Sequence, residues 1–183
     1  MRAFVLCTSF AASVLAGAAA IAQSDPASRA EMVAAMLVDA ERQAATPSRG
    51  ALATTLARFE RLGVHAAPGS GDDAIAEWRT VVGDRQSRPY RGRLLGPAFR
   101  RGWIEPGQVM HVEQLFVSGQ VATVSVATVP DAPLRLGVSG PGDAAMCREA
   151  RRNCNWMPLF TQRYTITLTN TGDRRARFYL VVD

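Results

Sequence analysis

The sequence predicts a mainly β fold with helices ahead of it: an α+β chain whose larger part is an antiparallel β-sandwich or jelly roll, preceded by two or three short helices. Three observations carry this. Between Gly102 and Val182 apolar residues recur at every second place in short runs, cut by Gly- and Pro-rich turns. No interval in that half has the length and period of a crossover helix, so parallel βαβ units are not expected. Between Ser24 and Gly83 the apolar period is instead helical.

The first element is expected to be removed. Arg2 makes a short positive region, Ala3 to Ala20 an apolar one, and Ala20-Ile21-Ala22 a small-residue cleavage site, which together read as a signal peptide over residues 1–22. The expected mature chain starts near Gln23, is periplasmic or secreted, and keeps no membrane span. About 160 residues then remain, enough for one domain or a small domain with a helical annex. The expected division is a helical region over 23–86 and a β-sandwich over 87–183. Every positive charge is arginine, and the formal net charge is +5, or +4 without Arg2. Charge of that size governs solubility and weak attraction to anionic surfaces, and does not single out a partner.

The helices follow in order. Ser28-Arg-Ala-Glu31 has capping-box spacing, and Met32, Val33, Met36, Leu37 and Ala40 form one apolar stripe behind it. Thr46-Pro47-Ser48 ends that helix. A second places Leu52, Leu56, Phe59 and Leu62 on one face, with Gly63 as its C-terminal cap. Ala66-Ala-Pro-Gly-Ser-Gly71 reads as a loop. Asp72 or Asp73 then caps a third helix carrying Ile75, Trp78 and Val82 and ended by Gly83. Helices this short bury little alone, so they are expected to pack on one another and on the sheet.

Asp84 to Arg101 is the one charge-biased stretch. It holds Arg85, Arg88, Arg91, Arg93, Arg100 and Arg101, with Tyr90 and Phe99 between them. Arginine pairs with phosphate or carboxylate and stacks on flat rings, so an anionic surface is one reading. The other is a solvated linker running into a first strand from Arg93. Its Pro and Gly and its Arg spacing fit no groove-reading helix, and no nucleic-acid partner is expected.

The strands come next. Glu105-Pro-Gly107 is a turn; Met110, Val112 and Phe116 then alternate with His111, Glu113 and Leu115. Ala122, Val124 and Val126 share one face of the next run, which Pro130-Asp-Ala-Pro133 breaks. Leu134, Leu136 and Val138 alternate with Arg135, and Gly140-Pro-Gly142 turns again. Met146 to Pro158 reads as a polar excursion containing Cys147 and Cys154. An even cysteine pair in an exported chain points to a disulfide rather than a metal or redox site. Closing that short loop is worth roughly 2–3 kcal/mol by chain entropy. Last, Tyr164, Ile166 and Leu168, then Ala176, Phe178, Leu180 and Val182, flank Asn170-Thr-Gly-Asp173; this predicts a β-hairpin with one buried face. Tyr179 and Val181 point the other way, toward a second layer that the helices could supply.

The order Gly96-Pro97, Glu105-Pro-Gly107, Leu134-Arg-Leu136, the cysteine pair, Trp156-Met-Pro158, Tyr164-Thr-Ile-Thr and Phe178-Tyr-Leu resembles the bacterial pre-peptidase C-terminal domain and related exported β-sandwich modules. The resemblance covers about residues 88–183. It implies a non-catalytic appendage that binds matrix polymers or aids secretion. Calcium-binding members use clustered Asp and Asn, where this chain offers Asp131 alone, so no metal or other cofactor is expected.

The inventory for catalysis is thin. The two histidines are His65, in the loop after the second helix, and His111, on the polar side of a strand two places before Glu113. His111-Val-Glu113 with two later cysteines is similar to the zinc deaminase pattern. That chemistry, however, needs Pro-Cys-x-x-Cys on a helix, and six residues separate these cysteines. No H-E-x-x-H, G-x-S-x-G or P-loop occurs. No catalytic residue is therefore assigned. The expected function is an exported non-enzymatic module that binds a cell-envelope polymer or protein through Arg91, Arg93, Arg100, Arg101 and Trp156. Two alternatives stand beside it. One is a hydrolase or lyase with His111 and Glu113 converging on Arg135 or Asp131. The other is an assembly subunit that docks through an uncovered apolar face of the first helix. Trp156 itself is either a core plug on the disulfide or a stacking platform at a loop tip.

Overall fold

The computed structural model describes residues 28–46, 49–84 and 96–183; of positions 148–151 only the backbone is described. The leader expected over Met1–Ala22, and the candidate ligands Arg91 and Arg93, lie outside these residues. Among the described residues no helix is long and apolar enough to cross a membrane.

Among the described residues three helices come first: α1 (Arg29–Ala44), α2 (Arg49–Leu62) and α3 (Ala74–Val82). Their ends are set by local chemistry. The Ser28 hydroxyl accepts from the Glu31 amide, and the Asp73 carboxylate accepts from the Ile75 and Ala76 amides, so donors with no partner inside the helix are satisfied. At the other ends Gly63 and Gly83 adopt φ 70° and 79°. Each lets the following amide bond back to a carbonyl five residues earlier, Val64 to Phe59 and Asp84 to Arg79.

Nine strands among the described residues follow or intervene: β1 (His65–Ala66), β2 (Ala98–Ile104), β3 (Val109–Phe116), β4 (Ala122–Val129), β5 (Leu134–Ser139), β6 (Ala145–Arg151), β7 (Asn153–Trp156), β8 (Gln162–Asn170) and β9 (Ala176–Val182). They form two sheets, ordered β1-β2-β9-β4-β7 and β3-β8-β5-β6. Apart from the parallel β1–β2 bridge every pairing is antiparallel. Strand β2 pairs β9, β3 pairs β8, β4 pairs β7 and β5 pairs β6. This is one long hairpin, closed at the Gly140–Asp143 turn and folded over on itself, which is the path of a jelly roll.

Two apolar layers result. Between the sheets lie Ile104, Val124, Val126, Leu136, Ile166, Leu168, Phe178 and Leu180. On the outer face of the five-stranded sheet, Phe99, Tyr179 and Val181 join Val33, Leu37, Leu52, Phe59 and Trp78 of the helices. The helices are thus a third layer, and β4 and β9 are covered on both faces, as the outward-pointing Tyr179 and Val181 lead one to expect. Trp78 is the centre of this layer, 6.4 Å from the Phe59 ring and 6.2 Å from that of Tyr179. Val33 and Leu37 are buried against the sheet with Met32 and Met36 beside them, so the apolar face of α1 is covered from within the chain.

Three expectations are corrected. Strands β8 and β9 do not form a hairpin: β8 lies in one sheet and β9 in the other. Alternation reports which face of a strand is buried, and two strands facing each other across a sandwich satisfy it as well as two side by side. The Asn170 side chain holds the crossing, accepting from the Gly172 amide at 2.9 Å and donating to the Ile104 and Arg174 carbonyls at 3.2 and 2.8 Å. Met146 to Trp156 is not a polar loop but most of β6 and β7, edge strands of opposite sheets. Residues His65 and Ala66, expected in or beside a loop, bridge to Ala98 and Phe99. The start expected for the first strand, at Arg93, lies outside the described residues, and within them Gly96 and Pro97 precede the strand, which begins at Ala98. A side chain at Gly96 would collide with the Gly63 carbonyl, so the two backbones lie close together there.

Candidate partner-binding end of the sandwich

Two loops meet at one end of the sandwich, Val117–Val121 between β3 and β4 and Met157–Thr161 between β7 and β8. Gly119 turns the first with φ 73° and its amide donates to the Pro158 carbonyl at 2.9 Å. The Ser118 amide donates to the Thr161 hydroxyl at 3.0 Å. Behind them the rings of Phe116, Trp156 and Tyr164 pack together, with centroids 4.7 Å apart for Phe116–Trp156 and 5.3 Å for Trp156–Tyr164. Phe116 and Trp156 are the last residues before the two loops, so one aromatic cluster fixes both starting points. The Cys147–Cys154 disulfide, with Cα atoms 6.0 Å apart, ties β6 to β7 and so one sheet to the other two residues before Trp156.

On this fixed base the loop side chains point out. Leu159 is 82% exposed, Phe160 70%, Val121 63% and Met157 58%, with Leu115 and Val117 about half exposed alongside. Scattered exposed apolar residues are normal, but six on two hydrogen-bonded loops and the adjoining strand end make a patch. Beside it a groove of about 350 Å³ runs between the first loop and the start of α1, with Arg29, Gly96, Gln120 and Asp183 in its wall. Arg29 donates twice to the Asp183 carboxylate, at 2.7 and 2.5 Å. That hydrogen bonding, outweighing partial burial, raises the Arg29 guanidinium above its ordinary value.

The residues singled out from sequence fall in different places. Trp156 is half buried against the Phe116 and Tyr164 rings, and among the described residues its indole N–H has no hydrogen-bond partner. Arg100 is half buried and donates to the Pro68 carbonyl at 3.4 Å. Arg101 is turned inward with 8% of its side chain exposed, donating to Asp72 and Glu77, with Glu41 3.7 Å away. Burial works against its charge, but the carboxylates outweigh it and the guanidinium is held above its ordinary value. Its donors are committed to fastening α1 and the α3 region to the sheet. Glu41 completes that fastening, accepting from Arg177 and, at 2.5 Å, from the Tyr179 hydroxyl. Burial first, and then Glu41, push that hydroxyl above its ordinary value, so it stays a neutral donor.

His111 and Glu113 stand on the open face of the four-stranded sheet, His111 3.1 Å from the Thr167 hydroxyl and Glu113 3.9 Å from Arg163. Asp131 pairs with Arg152 beyond β4, and Arg135 belongs to β5, two strands over. These groups do not converge in a cleft. Among the described residues no cluster of three His, Cys, Asp or Glu could hold a metal. What sequence reasoning missed is the loop patch around Met157-Pro158-Leu159-Phe160. The available signal was a run of large apolar residues around a proline with no period, which fits a displayed loop as well as a core.

No protein-family model matches the chain, and no curated protein matches it in sequence. Among solved structures, two periplasmic inhibitors of g-type lysozyme, both PliG, are similar in part. That of Aeromonas hydrophila has TM-score 0.38 and 15% identity over 48% of this chain and 84% of its own. That of Salmonella Typhimurium has TM-score 0.35 and 12% identity over 48% and 89%. A de novo designed double-stranded β-helix matches with TM-score 0.30 and 15% identity over 46% and 97%.

Proposed function

We propose that the protein is an exported, non-enzymatic binding module that captures a protein of the cell envelope on the apolar end of its sandwich. The observation that carries this is the rigid pair of loops exposing Val117, Val121, Met157, Leu159 and Phe160. Loops held by a scaffold carry binding more often than chemistry-poor faces do, and a cluster of large apolar side chains on a fixed base is what a protein hot spot requires. A polysaccharide would call for flat exposed rings with polar groups around them. Here Trp156 is packed, one face of the 44% exposed Trp103 is taken by the guanidinium groups of Arg175 and Arg177, 4.3 and 4.4 Å from its centre, and the exposed Phe160 ring stands among aliphatic side chains rather than polar groups. The resemblance to exported appendage domains supports the same class, and the scatter of His111, Glu113, Arg135 and Asp131 gives the hydrolase reading no cleft.

The test is capture from a periplasmic extract of the native bacterium, with each captured protein purified and its Kd measured. A Leu159→Asp/Phe160→Asp variant, whose positions are on the surface, keeps the wild-type melting temperature and loses at least about tenfold in affinity, since two hot-spot side chains of this size carry well over 1.4 kcal/mol. Equal affinity of the two proteins for every captured partner would overturn the reading, and so would binding to purified peptidoglycan alone.

A further inference from the structure

A jelly roll leaves four strand edges, and three of them are blunted here. Strand β1 has 2 residues and β7 has 4. Strand β6 shifts register against β5 at two places, between Leu136 and Val138 and again between Val138 and Ser139. These are devices by which sheets avoid pairing with one another. The fourth edge, β3, carries none. It runs 8 residues in unbroken register against β8 and contains no proline, no lysine and no charge on its inner face.

The direction of its free groups follows from the register. The Asn170 amide bonds to the Gln108 carbonyl, so Gln108 and every second residue after it (Met110, Val112, Gln114, Phe116) turn their backbone groups toward β8. Val109, His111, Glu113 and Leu115 therefore turn theirs to the free edge. Among the described residues no other strand pairs with that edge. The Leu115 carbonyl takes only the Gln114 side chain of its own strand, at 3.3 Å.

We propose that this edge pairs with the same edge of a second copy, antiparallel about a two-fold axis at Val112. That register sets His111 against Glu113 of the second copy and Val109 against its Leu115. By symmetry both pairs occur twice. The strand is thus complementary to itself: an acid meets a base, and the apolar Val109 and Leu115, 49% and 52% exposed, meet each other. The inner-face Met110 and Val112, only partly buried at the rim of the core, are covered in the same step. A register displaced by two residues either way opposes like residues (His111 to His111, or Glu113 to Glu113) and loses the match. The two four-stranded sheets become one of eight strands. Because the pairing is antiparallel, the apolar loop ends that follow Phe116 lie at opposite poles of the dimer.

Sedimentation equilibrium of the mature, disulfide-bonded protein over about 1–100 μM, a span set by the expectation of a modest edge-pairing dimer, tests this with two variants. Wild type sediments as a monomer–dimer equilibrium. His111→Glu places two acids opposite each other twice, and raises the dissociation constant about tenfold or more. The double swap His111→Glu/Glu113→His restores an acid facing a base in the same register and brings the constant back toward wild type. Both substituted positions are exposed, and an unchanged circular dichroism spectrum and melting temperature verify the fold in each variant. A monomer at every concentration overturns the proposal. So does a dimer that His111→Glu leaves unchanged, or one the swap fails to rescue while the fold is intact.

Discussion

Glu41 and Tyr179 show how a few side chains fasten one layer to another. Tyr179 is fully buried, and its hydroxyl reaches the one carboxylate that Arg177 also holds. Its folded-state value is raised above the ordinary 10.0. Stability from this group is therefore complete below about pH 10 and is lost as pH rises from there toward the folded value, because the unfolded chain gives up its proton first. Urea midpoints of wild type should fall between about pH 9 and pH 11, with a slope approaching 1.4 kcal/mol per pH unit from this one proton. Tyr179→Phe should cost about 1 kcal/mol at pH 8 through the lost hydrogen bond and flatten the alkaline slope. Equal slopes in the two proteins would show that Tyr179 ionises freely. The acids around Arg101 could not be read from the sequence. Asp72, Glu77 and Glu41 lie 24 to 60 positions upstream of it, and only the docking of α1 and α3 on β2 brings them there.

Elements were legible where their signals are local. Ser28, Asp73, Gly63 and Gly83 cap their helices as their spacing predicts, since a cap needs only the four or five residues around it. The faces of β3, β4, β5, β8 and β9 were equally readable, because burial of one face dictates period two. Which strand lies beside which was not. The long hairpin pairs residues up to 84 positions apart, Ala98 with Val182, and no local pattern encodes that. Strands β6 and β7 escaped notice for a related reason: Met146 to Trp156 shows little apolar alternation in the sequence, and its pairing partners lie elsewhere in the chain. Their disulfide was readable from the cysteine count, but its place between the sheets was not. Bridging two edges, Cys147–Cys154 should contribute about 2.5 kcal/mol by chain entropy for its short loop. Thermal melts of the Cys147→Ser/Cys154→Ser protein should show a midpoint lower by roughly 5–8 °C with the jelly roll retained. A midpoint unchanged within error would mean the aromatic cluster holds the two edges without help.

At the scale of the whole molecule, the three layers leave one broad open face and one apolar end. Helices cover the outer face of the five-stranded sheet, and the sheets cover each other. The outer face of β3, β8 and β5 carries His111, Thr165, Thr167, Thr169 and Arg135, a polar surface that costs little to leave in water. The loop end is different, since Leu159 and Phe160 gain nothing from exposure. A fold that buries Trp78, Phe59 and Phe99 completely has no shortage of interior, and the display of those two side chains is the clearest mark of use on the surface. The arginines that drew attention in the sequence serve, where they are described, to hold the layers together.

Amide hydrogen exchange on the protein, free and saturated with a partner obtained in the proposed capture experiment, tests the contact face directly. Protection gained at Val117–Val121 and Met157–Thr161, with exchange in the three helices unchanged, is the predicted result. Protection confined to α1–α3, or to the open face around His111 and Thr167, would contradict the assignment of the loop end as the binding surface.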